Sequence, residues 1–177
     1  MLKPHDIVVV LKLLECRGKD AAPTFAALAA ALQLSPSEVH AAVGRALAAG
    51  LLRRPLADTT RSMPLPVSTA LAEFLIHGLK YVWPVSRGAV TRGVATGTSA
   101  PAVANALHTP IPNMPLVWPD AEGDVRGESL KPLYPHAAKV AKKDAFLHEW
   151  LALLDLVRLR SGREATLAAE IIQDRLS

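Results

Sequence analysis

Residues with the chemistry for catalysis or metal binding occur in two short groups, and neither has the spacing that its chemistry needs. His148 and Glu149 could begin a helical zinc site, but the second histidine, three positions after the glutamate, is missing. The acidic segment Asp120–Asp124 lacks the ligand spacing and the closing glutamate of a calcium loop. No serine lies in a recognisable nucleophile elbow. We therefore expect no catalytic residue, no metal site, no cofactor and no enzymatic activity.

A glycine-rich segment, Arg87–Gly97, contains two arginines, and its backbone amides could hold a phosphate group. It has neither the terminal lysine of a nucleotide-binding loop nor the dinucleotide fingerprint. Two interpretations stay open at this point. The segment is either a structural hairpin, which the pattern favours, or a contact for a ligand or a DNA backbone.

The clearest local pattern is the segment Leu32–Leu52, which predicts a helix with both of its ends marked. Ser35 can accept from the backbone amide of Glu38 while the Glu38 carboxylate reaches back to the amide of Ser35, and this reciprocal pair forms a capping box. Pro36 stands at the first helical position, where no donor is needed. Gly50 ends the helix, because glycine adopts the left-handed conformation at little cost.

This helix predicts one buried face and one open face. The buried stripe has helical spacing and consists of Val39, Val43 and Leu47, with Ala42 and Ala46 beside them. The opposite face is small or hydrogen-bonding and carries Ser37, His40, Ala41, Gly44 and Arg45. Because this face has little bulk, the backbone of another molecule can approach it closely.

The flanking segments predict a compact arrangement around this helix. Helices are expected at about Pro4–Cys16 and at Thr24–Leu32, the second joined to the capped helix by a tight turn. After it, Leu51–Arg54 can pair with Arg61–Leu65 across the turn-rich segment Ala57–Thr60. The prolines at 55 and 64 restrict any strand there to a sheet edge.

This order of helices, with the motif LSPSEVHAAVGRALAAGLL and a basic hairpin after it, resembles winged helix-turn-helix regulators of the MarR-like superfamily. The resemblance covers roughly the first third to half of the chain. It implies that the capped helix enters the major groove of double-stranded DNA and that the wing contacts the backbone. The residues that correspond by position are Ser35, Ser37, His40, Ala41, Gly44 and Arg45 on the helix, and Arg53, Arg54 and Arg61 on the wing.

The resemblance also assigns a role to each of these side chains. Ser37, His40 and Arg45 are expected to contact base edges or nearby phosphates. Ala41 and Gly44 allow a close approach or touch a thymine methyl group. The wing arginines are expected to hold phosphates.

Composition and charge agree with a folded protein that binds a polyanion. The 177 residues are half hydrophobic, enough for a substantial core, and the formal net charge is +4. Such a charge favours nucleic acid, because neutralised phosphates release condensed counterions. The single cysteine, Cys16, excludes an internal disulfide, and the N-terminal residues lack an export signal. The apolar run Ile7–Leu11 is too short to cross a membrane, so we expect a cytoplasmic protein with no membrane contact.

The fold class expected from these patterns is mainly α, in three parts. Residues 1–83 form the winged helix-turn-helix domain, whose last helix begins near Val67 and stops at Trp83. Residues 84–135 contain eight prolines and five glycines, so this segment is expected to be ordered but loop-rich, without long regular elements. Residues 136–177 are expected to form helices that close the core or make a two-fold interface.

The first functional hypothesis is a dimeric, sequence-specific transcriptional regulator. A second is a protein-interaction subunit, antitoxin-like or part of a defence system, that uses the winged helix as a docking surface. The scarcity of charge on the capped helix motivates this alternative. A third is a repressor that responds to a small molecule bound between the winged helix and the segment from Trp83 to Tyr134.

Overall fold

The computed structural model of the chain describes residues 1–18, 23–55, 63–160 and 162–177. The protein is mainly α-helical with a small number of β-strands. The chain divides into two compact units, Met1–Leu71 and Ala72–Ser177. The sequence placed the first boundary at Trp83, whereas this division falls inside a helix that spans Ser68–Glu73.

The described residues of the first unit include the helices α1 (Pro4–Glu15), α2 (Phe25–Leu32) and α3 (Pro36–Ala48). Five consecutive residues of α1, Ile7–Leu11, are fully buried, which confirms that this apolar run belongs to a packed helix. Thr24 caps α2 by accepting from the amide of Ala27. α2 then ends at Gln33, whose left-handed conformation (φ 54°) turns the chain tightly into α3.

A short two-stranded antiparallel sheet follows α3 in the first unit. β1 (Leu52–Arg53) pairs with β2 (Leu65–Pro66), with Leu52 opposite Pro66 and Arg53 opposite Leu65. The predicted pairing is confirmed at Arg53 and Leu65, whereas Pro66, the partner of Leu52, lies one residue beyond the predicted segment Arg61–Leu65. The predicted turn Ala57–Thr60 lies outside the described residues.

The helix predicted from Val67 to Trp83 is present, but its middle is a π-helix. α4 (Ser68–Glu73) continues into the π-helix Phe74–Gly78 and then into α5 (Leu79–Val82). The amide of Leu79 donates to the carbonyl of Phe74, five residues earlier. Because a π-helical turn is wider than an α-helical one, the residues after it are rotated relative to a regular helix.

The expectation that residues 84–135 lack long regular elements is wrong. This part of the chain contains β3 (Arg87–Thr96), β4 (Leu116–Pro119) and β5 (Val125–Leu130), together with the 3₁₀-helix Gly97–Ser99 and α6 (Pro101–Leu107). The predicted hairpin at Arg87–Gly97 is wrong too, since nearly all of that segment is the single ten-residue strand β3. No proline interrupts β3, because the prolines of this segment lie before it or after it.

The three strands form a small closed sheet that depends on glycine. β3 pairs antiparallel with both β4 and β5, and β4 pairs parallel with β5. A Cβ atom on Gly93 would lie 2.0 Å from the carbonyl oxygen of Trp118, and one on Gly127 would lie 2.1 Å from that of Pro115. Because a Cβ atom cannot come so close to a backbone atom, only glycine permits this closure.

The core of the second unit is built around α8 (Ala145–Leu159), beside α7 (Ala137–Ala141) and α9 (Gly162–Leu176). Every residue of α8 from Trp150 to Arg158 is buried. This part of α8 is therefore covered within the unit, as expected for helices that close the core. In α9 the buried residues are Ala168, Ile172 and Leu176.

A buried ion pair lies inside this core. Asp155 accepts from Thr96 Oγ1 at 2.8 Å, from Trp118 Nε1 at 2.6 Å and from Arg158 Nη1 at 2.6 Å. Arg158 also donates to the carbonyls of Trp83 and Lys131. Burial raises the pKa of Asp155, and the three donors oppose that rise. The pair therefore joins strands β3 and β4 to helix α8 by satisfied hydrogen bonds.

We expect Gly93→Ala to lower the free energy of unfolding of the second unit by about 3 kcal/mol, because the new methyl group must displace the β4 backbone. Trp83, Trp118 and Trp150 are the only tryptophans of the chain and all lie in this unit, so their fluorescence during urea unfolding measures the effect. Gly44→Ala is the control, since none of the described residues outside the adjacent backbone of α3 lies within 4 Å of a Cβ atom there. An unchanged midpoint for Gly93→Ala would contradict this account of the sheet.

Candidate functional site

The capping box predicted for α3 is confirmed. The amide of Glu38 donates to Ser35 Oγ at 3.2 Å, and the amide of Ser35 donates to Glu38 Oε2 at 2.8 Å. Pro36 occupies the first helical position. At the other end Gly50 has a φ of 74°, and the amide of Leu51 donates to the carbonyl of Ala46. These contacts fix the start and the end of α3 by local chemistry alone.

The buried stripe of α3 lies where its spacing predicts. Val39, Ala42, Val43 and Ala46 are buried, and Leu47 is half-buried. This stripe packs within a unit in which α3 contacts both α1 and α2. The buried side of α3 is thereby fixed, and the remaining sides are left to solvent.

Four of the predicted site residues form a continuous exposed strip, called here the open face: Ser37, His40, Ala41 and Gly44. Apart from its chain neighbours and the adjacent backbone of α3, no atom of the described residues lies within 4 Å of the position that a Cβ atom would take on Gly44. The ring of His40 lies 5.2 Å from that of Phe25 in α2, which supports the imidazole from one side. The open face is therefore uncharged apart from the titratable His40, and sterically accessible.

The exposed hydroxyls of Ser35 and Ser37 lie beside this face and close to one another, with their Oγ atoms 3.0 Å apart. The Ser35 hydroxyl also lies 2.7 Å from Glu38 Oε2. Ser35 is thus occupied by its capping role. Ser37 is the serine that the open face presents.

Arg45 is not part of the open face, because its guanidinium contacts Asp6 in α1. Its Nε donates to Asp6 Oδ2 at 2.8 Å and its Nη2 donates to Asp6 Oδ1 at 2.7 Å, while Nη2 also lies 3.1 Å from His5 Nε2. Asp6 is fully buried and also accepts from the backbone amide of Lys3. The hydrogen bonds that Arg45 donates to Asp6 raise the pKa of Arg45 above its ordinary value. From the sequence we expected Arg45 to contact DNA. In the structure its guanidinium makes two hydrogen bonds to Asp6, and these link α3 to α1.

Two of the three predicted wing arginines lie in the described part of the chain. Arg53 and Arg54 are exposed, and neither has an acidic partner among the residues that the structure describes. Arg61 lies outside the described residues. Residues 1–71 carry eight lysines and arginines against five acids. The first unit therefore holds most of the net positive charge of the chain, and its exposed arginines lie directly after α3.

The other groups that the sequence singled out have structural contacts. His148 Nε2 lies 2.7 Å from the carbonyl oxygen of Ala95. Asp120 accepts from Lys142 Nζ at 3.1 Å and from the amide of Glu122, and these donors lower the pKa of Asp120. Arg87 forms an ion pair with Glu128. Within residues 1–18, 23–55, 63–160 and 162–177, no three histidine, cysteine or acidic residues lie together as a metal site would require.

No family model, curated protein or solved structure matches the chain. In the described part of the chain, none of the helices is both long and apolar enough to span a membrane. The chemistry and placement of the side chains are therefore the basis for assigning a function. The described residues of the first unit include two features that suit a binding surface, namely the exposed open face and the exposed Arg53 and Arg54, which have no acidic partner there.

Arg45→Ala is expected to lower the free energy of unfolding by about 3 kcal/mol, because the buried Asp6 carboxylate loses its charged partner. Far-UV circular dichroism during urea unfolding measures the loss. Arg53→Ala removes the same side chain from an exposed position and is expected to change the stability by less than about 0.5 kcal/mol. If the two variants unfold at the same urea concentration, the contact of Arg45 with Asp6 does not stabilise the fold.

Proposed function

We propose that this protein is a sequence-specific regulator that binds double-stranded DNA through a winged helix-turn-helix in residues 1–71. The single observation that carries the proposal is the open face of α3. An exposed helical strip with small residues at Ala41 and Gly44 fits the width of the major groove. The order α1, α2, α3 and the β1–β2 pair supports the same assignment, since it is the order of elements in the MarR-like superfamily.

The proposed contacts divide between base edges and phosphates. Ser37 and His40 have exposed hydrogen-bonding groups that can reach base edges, and Ala41 can touch a thymine methyl group. Arg53 and Arg54 supply charge for phosphates on either side of the groove. Arg45 is assigned a different role from the one that the sequence suggested: it fixes α3 against α1 and so sets the angle at which the open face is presented.

The proposed DNA complex is a dimer that reads two half-sites. In helix-turn-helix proteins the two recognition helices of a dimer lie about one helical turn of DNA apart, which is roughly 10 base pairs. Duplexes selected from a randomised pool by the full chain should therefore share a sequence with two-fold symmetry. A selected pool without any shared sequence would contradict specific recognition.

Ala41→Glu tests the open face directly. The substitution places a carboxylate at the centre of the face, where it would repel phosphates and fill the groove, so we expect at least about tenfold weaker binding to the selected duplex. Fluorescence anisotropy at two salt concentrations measures the affinity. Ala102→Glu is the matched control, because it makes the same charge change at an exposed position of α6. Equal affinities for the two variants would remove α3 from the interface.

Arg54→Ala tests the phosphate contacts. We expect weaker binding to every duplex, cognate or random, and a slope of log affinity against log salt that is lower by about 1, because one phosphate contact is lost. Arg163→Ala removes an exposed arginine of α9 and serves as the control. A salt slope equal to that of the wild type would show that Arg54 does not contact DNA.

One observation favours a second candidate, a protein-interaction subunit that uses the same face for docking. With Arg45 paired to Asp6, no lysine or arginine remains on the open face. An uncharged helical strip also suits a protein partner, since interface cores are poor in charge. Purification from its native cell with a stoichiometric protein partner, together with no salt-sensitive binding of DNA, would select this candidate and exclude the first.

A further inference from the structure

The second unit contains a cleft with a volume of about 430 Å³. Its walls come from the π-helix and α5, from the C-terminal end of α8 and from the first turns of α9. The size falls within the range of cavities that bind small molecules in proteins. All the lining residues belong to residues 72–177, so the cleft is a feature of this unit alone.

The polar part of the cleft is cationic. Lys80 and Arg160 both line it, with His77 one helical turn before Lys80. Neither Lys80 nor Arg160 has a carboxylate partner among the described residues, and the lining residues include no acid. The ammonium group of Lys80 lies 5.4 Å from the ring of Tyr81, which is 69% exposed. Two unpaired cations that converge on one cleft favour an anion there.

The rest of the lining is small or apolar. On α9 the wall consists of Gly162, Ala165, Thr166 and Ala169, which lie on one helical face and leave room for a ligand. Ile76 from the π-helix and Val157 from α8 supply further apolar surface in the lining. A ligand that fits both parts would carry a negative group near the cations and an apolar body along α9.

The π-helix beside the cleft gives independent support. The bond from the Leu79 amide to the Phe74 carbonyl widens the turn that carries Ile76 and His77. A Cβ atom on Gly78 would lie 2.9 Å from the Phe74 ring, so a larger residue in this turn would require that ring to move. Single π-helical turns are rare in proteins and occur frequently at functional sites. Here the turn lies at the wall of the cleft.

We propose that this cleft binds a small organic anion with an apolar body, held by Lys80 and Arg160. The site lies on different elements from the open face of α3 and does not depend on DNA binding. It also differs from the effector position that the sequence suggested, since it is formed entirely by the second unit. His77 and Thr166 supply additional hydrogen-bonding groups for the bound anion.

The probe for this site is 8-anilinonaphthalene-1-sulfonate, an apolar ring system with one negative charge, added to the full chain without DNA. We expect saturable fluorescence enhancement at one site. Lys80→Gln and Arg160→Asn should each raise the dissociation constant about tenfold, because each removes a charge-assisted contact with the sulfonate. Asparagine is chosen because residue 160 has a φ of 53°, a conformation that asparagine tolerates.

Two controls separate the proposed site from general dye binding. Lys143→Gln removes an exposed lysine of the same unit outside the cleft and should leave the dissociation constant unchanged. N-phenyl-1-naphthylamine has the same rings without the sulfonate, and its affinity should be the same for all variants. The proposal is overturned if Lys80→Gln and Arg160→Asn bind the sulfonate dye like the wild type, or if they lose the neutral dye to the same extent.

Discussion

The contact between Asp6 and Arg45 determines how the first unit presents α3. A carboxylate that is fully buried near the start of α1 must be satisfied, and it accepts from the Lys3 amide and from two nitrogens of Arg45. Since α3 is held at two points, by this ion pair and by its apolar stripe, it cannot rotate about its own axis without leaving the Asp6 charge unpaired. The accessible side of α3 is therefore fixed by the interaction on its other side.

The helical period explains why the contact of Arg45 with Asp6 was not predicted from the sequence. Residues advance by about 100° each around a helix, which places Arg45 between the exposed Ala41 and the buried Ala42. A long side chain at such a border can reach either side. What decides its direction is Asp6, which lies 39 positions earlier in the chain. Periodicity along one helix contains no information about a partner at that separation.

The parts of the fold that the sequence predicted well depend on neighbouring residues. The capping box of Ser35 and Glu38 and the helix end at Gly50 are local hydrogen-bonding patterns, so the residue types were sufficient. The strand β3 and the closed sheet were not predicted, because the composition of residues 84–135 suggested loops. The glycines of that segment allow the strands to approach closely. This role becomes visible only when the pairing of the strands is known. Asp155 and Arg158 lie three positions apart in α8, but their other hydrogen-bonding partners are distant in the chain. The sequence around them therefore does not reveal that the pair joins β3 and β4 to α8.

The proposed DNA complex assigns affinity and recognition to different side chains of the first unit. In the proposed DNA complex, the exposed arginines after α3 contact phosphates, while the nearly uncharged open face approaches base edges closely. Amide hydrogen exchange of the unmodified chain, with and without an excess of duplex DNA at low salt, tests this most directly. The account predicts slower exchange in peptides covering residues 36–55 and no change in those covering α8. Slower exchange confined to residues 72–177, or none in residues 36–55, would contradict it.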